Sequence, residues 1–158
     1  PGGSTWAAIL VTIVGLGLIG AGLFVTDPMN GYPPGTVLLS MDYTFPGRMH
    51  RTLSALVFIG LPAAAFVLAR YFAREALRGW ALASTISGFA FIALFVTTSV
   101  GFGQIGGLQA MAGLLQRLTL IVGFGWIAAV AFILWKTYGV LTTAPTSATR
   151  SPVGRGSN

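Results

Sequence analysis

Four apolar runs, separated by polar punctuation, organise this chain. The first covers residues 5–25, 21 positions without a charge, and at about 1.5 Å of helical rise per residue it spans roughly 30 Å, the thickness of a bilayer's hydrocarbon core. It closes on Thr26-Asp27-Pro28. The second, 52–69, follows Arg48-Met49-His50-Arg51 and leads into a charged stretch that holds Arg70, Arg74, Glu75 and Arg78; Pro62 inside it predicts a kink that neighbouring helices can accommodate. The third, 80–100, carries Ser84, Thr85 and Ser87 early and Thr97, Thr98 and Ser99 late, hydroxyls that can bond the carbonyls of their own helix. The fourth runs from about 109 to 135 and has Gln116 and Arg117 near its outer end. Between the first two runs, Met29 to Gly35 and Met41 to Gly47 are dense in Pro and Gly, so residues 26–51 read as a long outer loop, a lid over one membrane face. The pattern predicts an all-α polytopic transmembrane bundle of four helices in residues 1–141, and a disordered cytoplasmic tail over 142–158, where Thr, Ser, Pro and Gly dominate.

Composition turns the pattern into a membrane assignment. Charged residues make up 8% of the chain and hydrophobic ones 54%, whereas a soluble domain carries about 25% charged residues to cover its surface. The net charge of +6 does not point to nucleic acid, because the cations flank apolar runs and form no basic helix or aromatic-interleaved patch. With no Cys and a single His, disulfide scaffolds, thiolate metal sites, bis-His haem and multi-His zinc are excluded, and no cofactor is implied. Lys and Arg also set orientation. Arg70, Arg74, Arg78, Lys136, Arg150 and Arg155 fall on the side of the termini, and Arg48, Arg51 and Arg117 on the other; six against three puts both termini in the cytoplasm of a multi-pass cell-membrane protein. No positive segment precedes the first run and no A-x-A pattern follows it, so it reads as a retained helix and not as a signal peptide.

Gly15-Leu16-Gly17-Leu18-Ile19-Gly20 satisfies G-x-G-x-x-G, with Asp42 downstream as the ribose-binding acid of a dinucleotide fingerprint. That fingerprint needs a strand before the glycines and a helix after them, and here they sit inside an uncharged run. They read instead as part of a small-residue surface of Gly15, Gly17, Ala21 and Gly22 that admits another helix, or another subunit of a homo- or hetero-oligomer. Topology also gathers Asp27, His50, Arg51, Gln116 and Arg117 at one membrane face, where membrane lipids are the natural partners. Arg117 weighs most, because a charge at the centre of a spanning helix costs about 2.5–3.5 kcal/mol on insertion scales and is normally paired or turned inward; Asp27 is the nearest partner by depth. Two readings stand. In one these residues form a polar pocket, with Asp27 and His50 as an acid–base pair and Arg117 holding an anionic head group. In the other Arg117 snorkels to the interface, while Asp27 and His50 cap local structure. Ser54, one turn after His50, allows a weak Ser/His/Asp arrangement, and Asp27, His50 and Asp42 a weak metal set; neither is adopted. Arg70, Arg74 and Arg78 form a basic ridge explained by topology and anionic lipid.

Taken together, residues 20–28 (Gly-Ala-Gly-Leu-Phe-Val-Thr-Asp-Pro), Gly31-Tyr32-Pro33-Pro34-Gly35-Thr36, His50 before an apolar helix with Leu61-Pro62-Ala63, and Gly113-Leu114-Leu115-Gln116-Arg117-Leu118 with Gly125-Trp126 closely resemble a prokaryotic membrane family catalogued as domain of unknown function 998. The resemblance covers roughly residues 15–135 and rests on F-x-T-D-P, a Pro/Gly loop and a His. It implies a membrane protein of unassigned activity with about six helices, so that two N-terminal helices are expected beyond the four read here. It maps the family's motif positions onto Thr26, Asp27, Pro28, His50, Gln116 and Arg117. Three functions follow as expectations: a module binding a lipid or similar amphiphile at the outer face, an enzyme acting on a lipid-linked substrate, or a structural subunit of a membrane complex. A transporter fits less well, because no intramembrane charge continues a path through the cytoplasmic half.

Overall fold

The computed structural model describes residues 2–28, 31–36 and 43–143, with side chains between Thr5 and Lys136. It contains helices α1 (Gly2–Leu23), α2 (Phe45–Arg74), α3 (Arg78–Phe102) and α4 (Ala112–Thr143), with a 3-10 turn at Gln109–Met111 and no strand among the described residues. All four helices are long and apolar enough to cross a membrane, so the expected all-α bundle is what forms.

The helix boundaries differ from the hydropathy pattern in instructive places. α2 starts at Phe45, inside the stretch expected to be loop, because Thr44-Phe45-Pro46-Gly47 is a helix start. The Thr44 hydroxyl accepts the Gly47 N–H at 3.2 Å, and Pro46 occupies a first-turn position whose N–H has no helical partner to lose. Arg48, His50 and Arg51 therefore belong to the first two turns of α2, not to a loop ending at residue 51. At the other end Leu77 N–H reaches Phe72 O at 2.8 Å while Ala76 takes φ 59°, a C-cap that turns the chain into α3 within three residues. α2 passes through Pro62 unbroken. α4 continues to Thr143, and residues 144–158, where the disordered tail was expected, lie outside the described residues.

The chain divides into two compact units, Pro1–Trp126 and Ile127–Asn158. In the first, helices adjacent in sequence run antiparallel. A Cβ built at Gly17 would lie 2.8 Å from Leu53 O, one at Gly20 2.7 Å from Leu53 Cδ1, and one at Gly60 2.6 Å from Val14 Cγ2, so α1 and α2 approach to a distance that only glycine allows. Gly15 and Gly22 face open space, which corrects the expectation that they share this surface; the helical period turns them away. α2 and α3 meet through aromatic rings, with Phe58 stacked on Phe95 at 4.7 Å and Phe72 against Trp80 at 6.3 Å. α3 and the first half of α4 are joined differently. Thr85, Thr97 and Ser99 do bond carbonyls of their own helix, but Ser84 accepts the Trp126 indole N–H at 3.0 Å and Thr98 meets Thr119 at 3.4 Å, all four side chains being buried. Leu16, Ile19, Leu82, Phe89 and Ile121 face outward, as lipid-covered positions do. In the second unit Lys136 lies 4.8 Å over the Phe132 ring beside Trp135, a cation and aromatic pair suited to a membrane interface.

Two expectations test this packing. Gly17→Leu should lower the unfolding temperature in detergent by several degrees, since overpacking costs about 1–3 kcal/mol, while Gly15→Leu should leave it unchanged. In a double-mutant cycle Ser84→Ala and Trp126→Phe should be coupled by about 0.6–1.7 kcal/mol, the range of interhelical hydrogen bonds in membranes, read from equilibrium unfolding.

Candidate functional site

The site begins where α1 ends and α2 starts. The last carbonyls of a helix and its first N–H groups have no partner within the helix, and both kinds of orphan meet here. His50 serves the carbonyls: its Nδ1 lies 2.9 Å from both Ala21 O and Phe24 O. Carbonyl oxygens only accept, so Nδ1 carries a proton, and when the ring is neutral the lone pair is on Nε2. Asp27 serves the amides. One carboxylate oxygen accepts the Thr44 N–H at 2.9 Å and the other the Thr44 hydroxyl at 2.6 Å, while the same hydroxyl caps Gly47. The carboxylate is seated so closely over the first turn of α2 that a Cβ at Gly47 would collide with it, a position in which the helix dipole favours an anion.

Beside this joint opens a cavity of about 740 Å³. Asp27, His50, Arg51 and Ser54 line one side. Phe58 of α2 with Phe95 and Phe102 of α3 give an aromatic wall, Thr98, Ser99 and Gln116 add polar groups, and Tyr32 and Pro33 of the Pro/Gly loop form part of the rim. The Tyr32 ring, edge-on to Phe102 at 5.1 Å, ties this segment to α3, and Thr36, whose N–H and hydroxyl both donate to Pro33 O, closes the turn within it. Arg51 lies 4.0 Å over the Tyr43 ring, so its position is set by stacking. No buried side-chain nitrogen or oxygen among the described residues lacks a partner. The half-buried His50 lines the cavity, and its Nε2 has no recorded hydrogen bond among the described residues.

Of the five residues singled out from sequence, the structure brings Asp27, His50, Arg51 and Gln116 to one cavity and leaves Arg117 out. Arg117 is exposed and does not line it, because one helical step of 100° separates it from Gln116. The expected Asp27–Arg117 pair is thus corrected: the Asp27 carboxylate is engaged by Thr44. The expected Asp27–His50 pair is corrected on the same ground, since each side chain binds a helix end and not the other. Ser54 shares the cavity, but a Ser/His/Asp relay has no carboxylate link. Asp42 lies outside the described residues. Sequence reasoning missed Thr44 and Tyr43. A Thr two positions before a Pro and three before the Gly that it caps was a readable N-cap signal, whereas nothing in the sequence announced the Tyr43–Arg51 stack.

A helical bundle of four apolar spans with an aromatic-walled cavity that also carries polar groups defines an integral membrane protein with a semi-enclosed site. The chain belongs to the family described as protein of unknown function (DUF998), whose model matches residues 1–133 and so covers every element of the cavity. No curated protein and no solved structure matches it.

Replacing Asp27 tests the joint. Asp27→Ala and Thr44→Ala should each destabilise the protein by about 1–3 kcal/mol, the cost of stripping a helix start of its partners, and the double variant should lose little more than either alone in thermal unfolding. Independent, additive losses would show that the two residues do not act together.

Proposed function

We propose that this protein binds a membrane amphiphile in the cavity at the α1–α2 joint, with the head group among His50, Arg51, Gln116 and the hydroxyls, and the chain along Phe58, Phe95 and Phe102. The observation that carries the reading is a lining of both kinds: polar groups gather at the α1–α2 joint, and Phe58 and Phe95 lie about two turns further along α2 and α3. The volume, about 740 Å³, falls within the roughly 300–1,000 Å³ range of ligand sites. The excess of Lys and Arg toward the termini and the 70–79 connection supports an outer-leaflet location for this cavity, with the termini of the chain in the cytoplasm.

A second reading, an enzyme acting on a lipid-linked substrate, is favoured by one feature, the accessible Nε2 of a histidine whose Nδ1 is fixed by two carbonyls, as a general base requires. In that case His50 acts without Asp27.

Ser99→Trp fills the cavity from the α3 side at an exposed position and should leave the fold intact. Protein is reconstituted in vesicles of equal parts dioleoyl phosphatidylglycerol and dioleoyl phosphatidylcholine, extracted in mild detergent and weighed by native mass spectrometry. Wild type should retain one lipid per chain and Ser99→Trp essentially none. Equal retention, or none by either, contradicts the reading.

A further inference from the structure

From the chemistry left unused around the cavity we infer that its ligand is an amphiphile whose head group joins an oxyanion to a neighbouring hydrogen-bond donor, the oxyanion on Arg51 and the donor on His50 Nε2. This rests on the amphiphile reading above and specifies the head.

Two observations carry it independently. The first concerns Arg51. Its guanidinium carbon lies 4.0 Å over the Tyr43 ring, a cation–π contact that uses no hydrogen-bond acceptor. Its five N–H donors have no protein acceptor recorded among the described residues, and Arg51 lines the cavity. The Asp27 carboxylate, which lines the same cavity, is engaged elsewhere: both its oxygens accept from Thr44 at the start of α2. A guanidinium whose donors have no acceptor among the described residues is the group that binds a phosphate or carboxylate through two parallel hydrogen bonds. The second concerns His50. With Nδ1–H shared between Ala21 O and Phe24 O, the neutral ring cannot exchange its tautomer without losing both bonds, so in that form Nε2 is an acceptor on a ring that lines the cavity. An acceptor beside a cation selects a head that presents a hydroxyl or amine next to its anion. A bare anion would meet the lone pair of Nε2, and a quaternary ammonium has no proton to give it.

Three lipids with the same dioleoyl chains separate these terms. Phosphatidylglycerol has the anion and hydroxyl donors, phosphatidylmethanol has the anion alone, and phosphatidylcholine has a phosphate masked by a quaternary ammonium without a donor. Each is titrated into the delipidated full chain in detergent and followed by native mass spectrometry. Wild type should rank them in that order, with about tenfold between the first and the last, the effect of one charge-assisted contact of about 1.4 kcal/mol. Arg51→Gln should remove the preference of both anionic lipids over phosphatidylcholine. His50→Asn keeps an amide donor near the Nδ1 position and deletes Nε2, so it should erase only the preference for phosphatidylglycerol over phosphatidylmethanol. Unchanged preferences in both variants, or equal binding of the three lipids by wild type, overturn the head-group inference while lipid retention sensitive to Ser99→Trp preserves the amphiphile reading. Soluble glycerol 1-phosphate forms the last arm. Displacement of phosphatidylglycerol by it at comparable concentration, lost in Arg51→Gln, keeps the recognition chemistry and overturns the lipid as its source; failure to displace supports the lipid.

Discussion

Two helix ends that meet leave carbonyls without donors on one side and N–H groups without acceptors on the other, and each needs a partner from outside its own helix. The joint between α1 and α2 resolves this with three side chains. His50 donates to the orphan carbonyls of Ala21 and Phe24, while Asp27 and Thr44 accept and relay at the start of α2. Everything else at the site depends on this arrangement. It accompanies the register in which Gly17 and Gly20 take Leu53, it engages both Asp27 carboxylate oxygens, and it holds one imidazole nitrogen as donor, so that in the neutral ring the other accepts.

The rest of the bundle keeps that joint in place at little polar cost. α1 and α2 are held by close approach at glycine, α2 and α3 by stacked rings, and α3 and α4 by two buried side-chain hydrogen bonds, Ser84 with Trp126 and Thr98 with Thr119. The last of these lies at the floor of the cavity, where Thr98 is also part of the lining. The packed layer below and the open one above are thus continuous, and the aromatic wall is shared by both: Phe58 and Phe95 stack on each other as part of the α2–α3 contact while exposing ring surface to the cavity.

Much of this was legible from the sequence. Hydropathy and length identify four spans, and the antiparallel order collects Asp27, His50, Arg51 and Gln116 at one face without any structure. What escaped was azimuth and local capping. Depth alone groups Gln116 with Arg117, but Gln116, Thr119, Gly123 and Trp126 follow the helical period along one inward face, and Arg117 does not. By composition the Pro and Gly of residues 45–47 read as loop, whereas by position a Thr N-cap with Pro in the first turn is a helix signal at that spacing. Pairing the few charged groups with one another was the natural expectation in a chain so poor in charge, yet backbone groups at helix ends are the more numerous claimants, and here they take both Asp27 and His50.

The single histidine makes the central claim directly measurable. In protein labelled with 15N only at His50 and held in lipid at a pH where the imidazole is neutral, the ring gives two nitrogen resonances free of overlap. The bond to Ala21 and Phe24 predicts a protonated, pyrrole-type Nδ1 and an unprotonated, pyridine-type Nε2, with the latter shifting when phosphatidylglycerol is added. A protonated Nε2 with an unprotonated Nδ1 would contradict the joint itself, because that ring could not donate to either carbonyl.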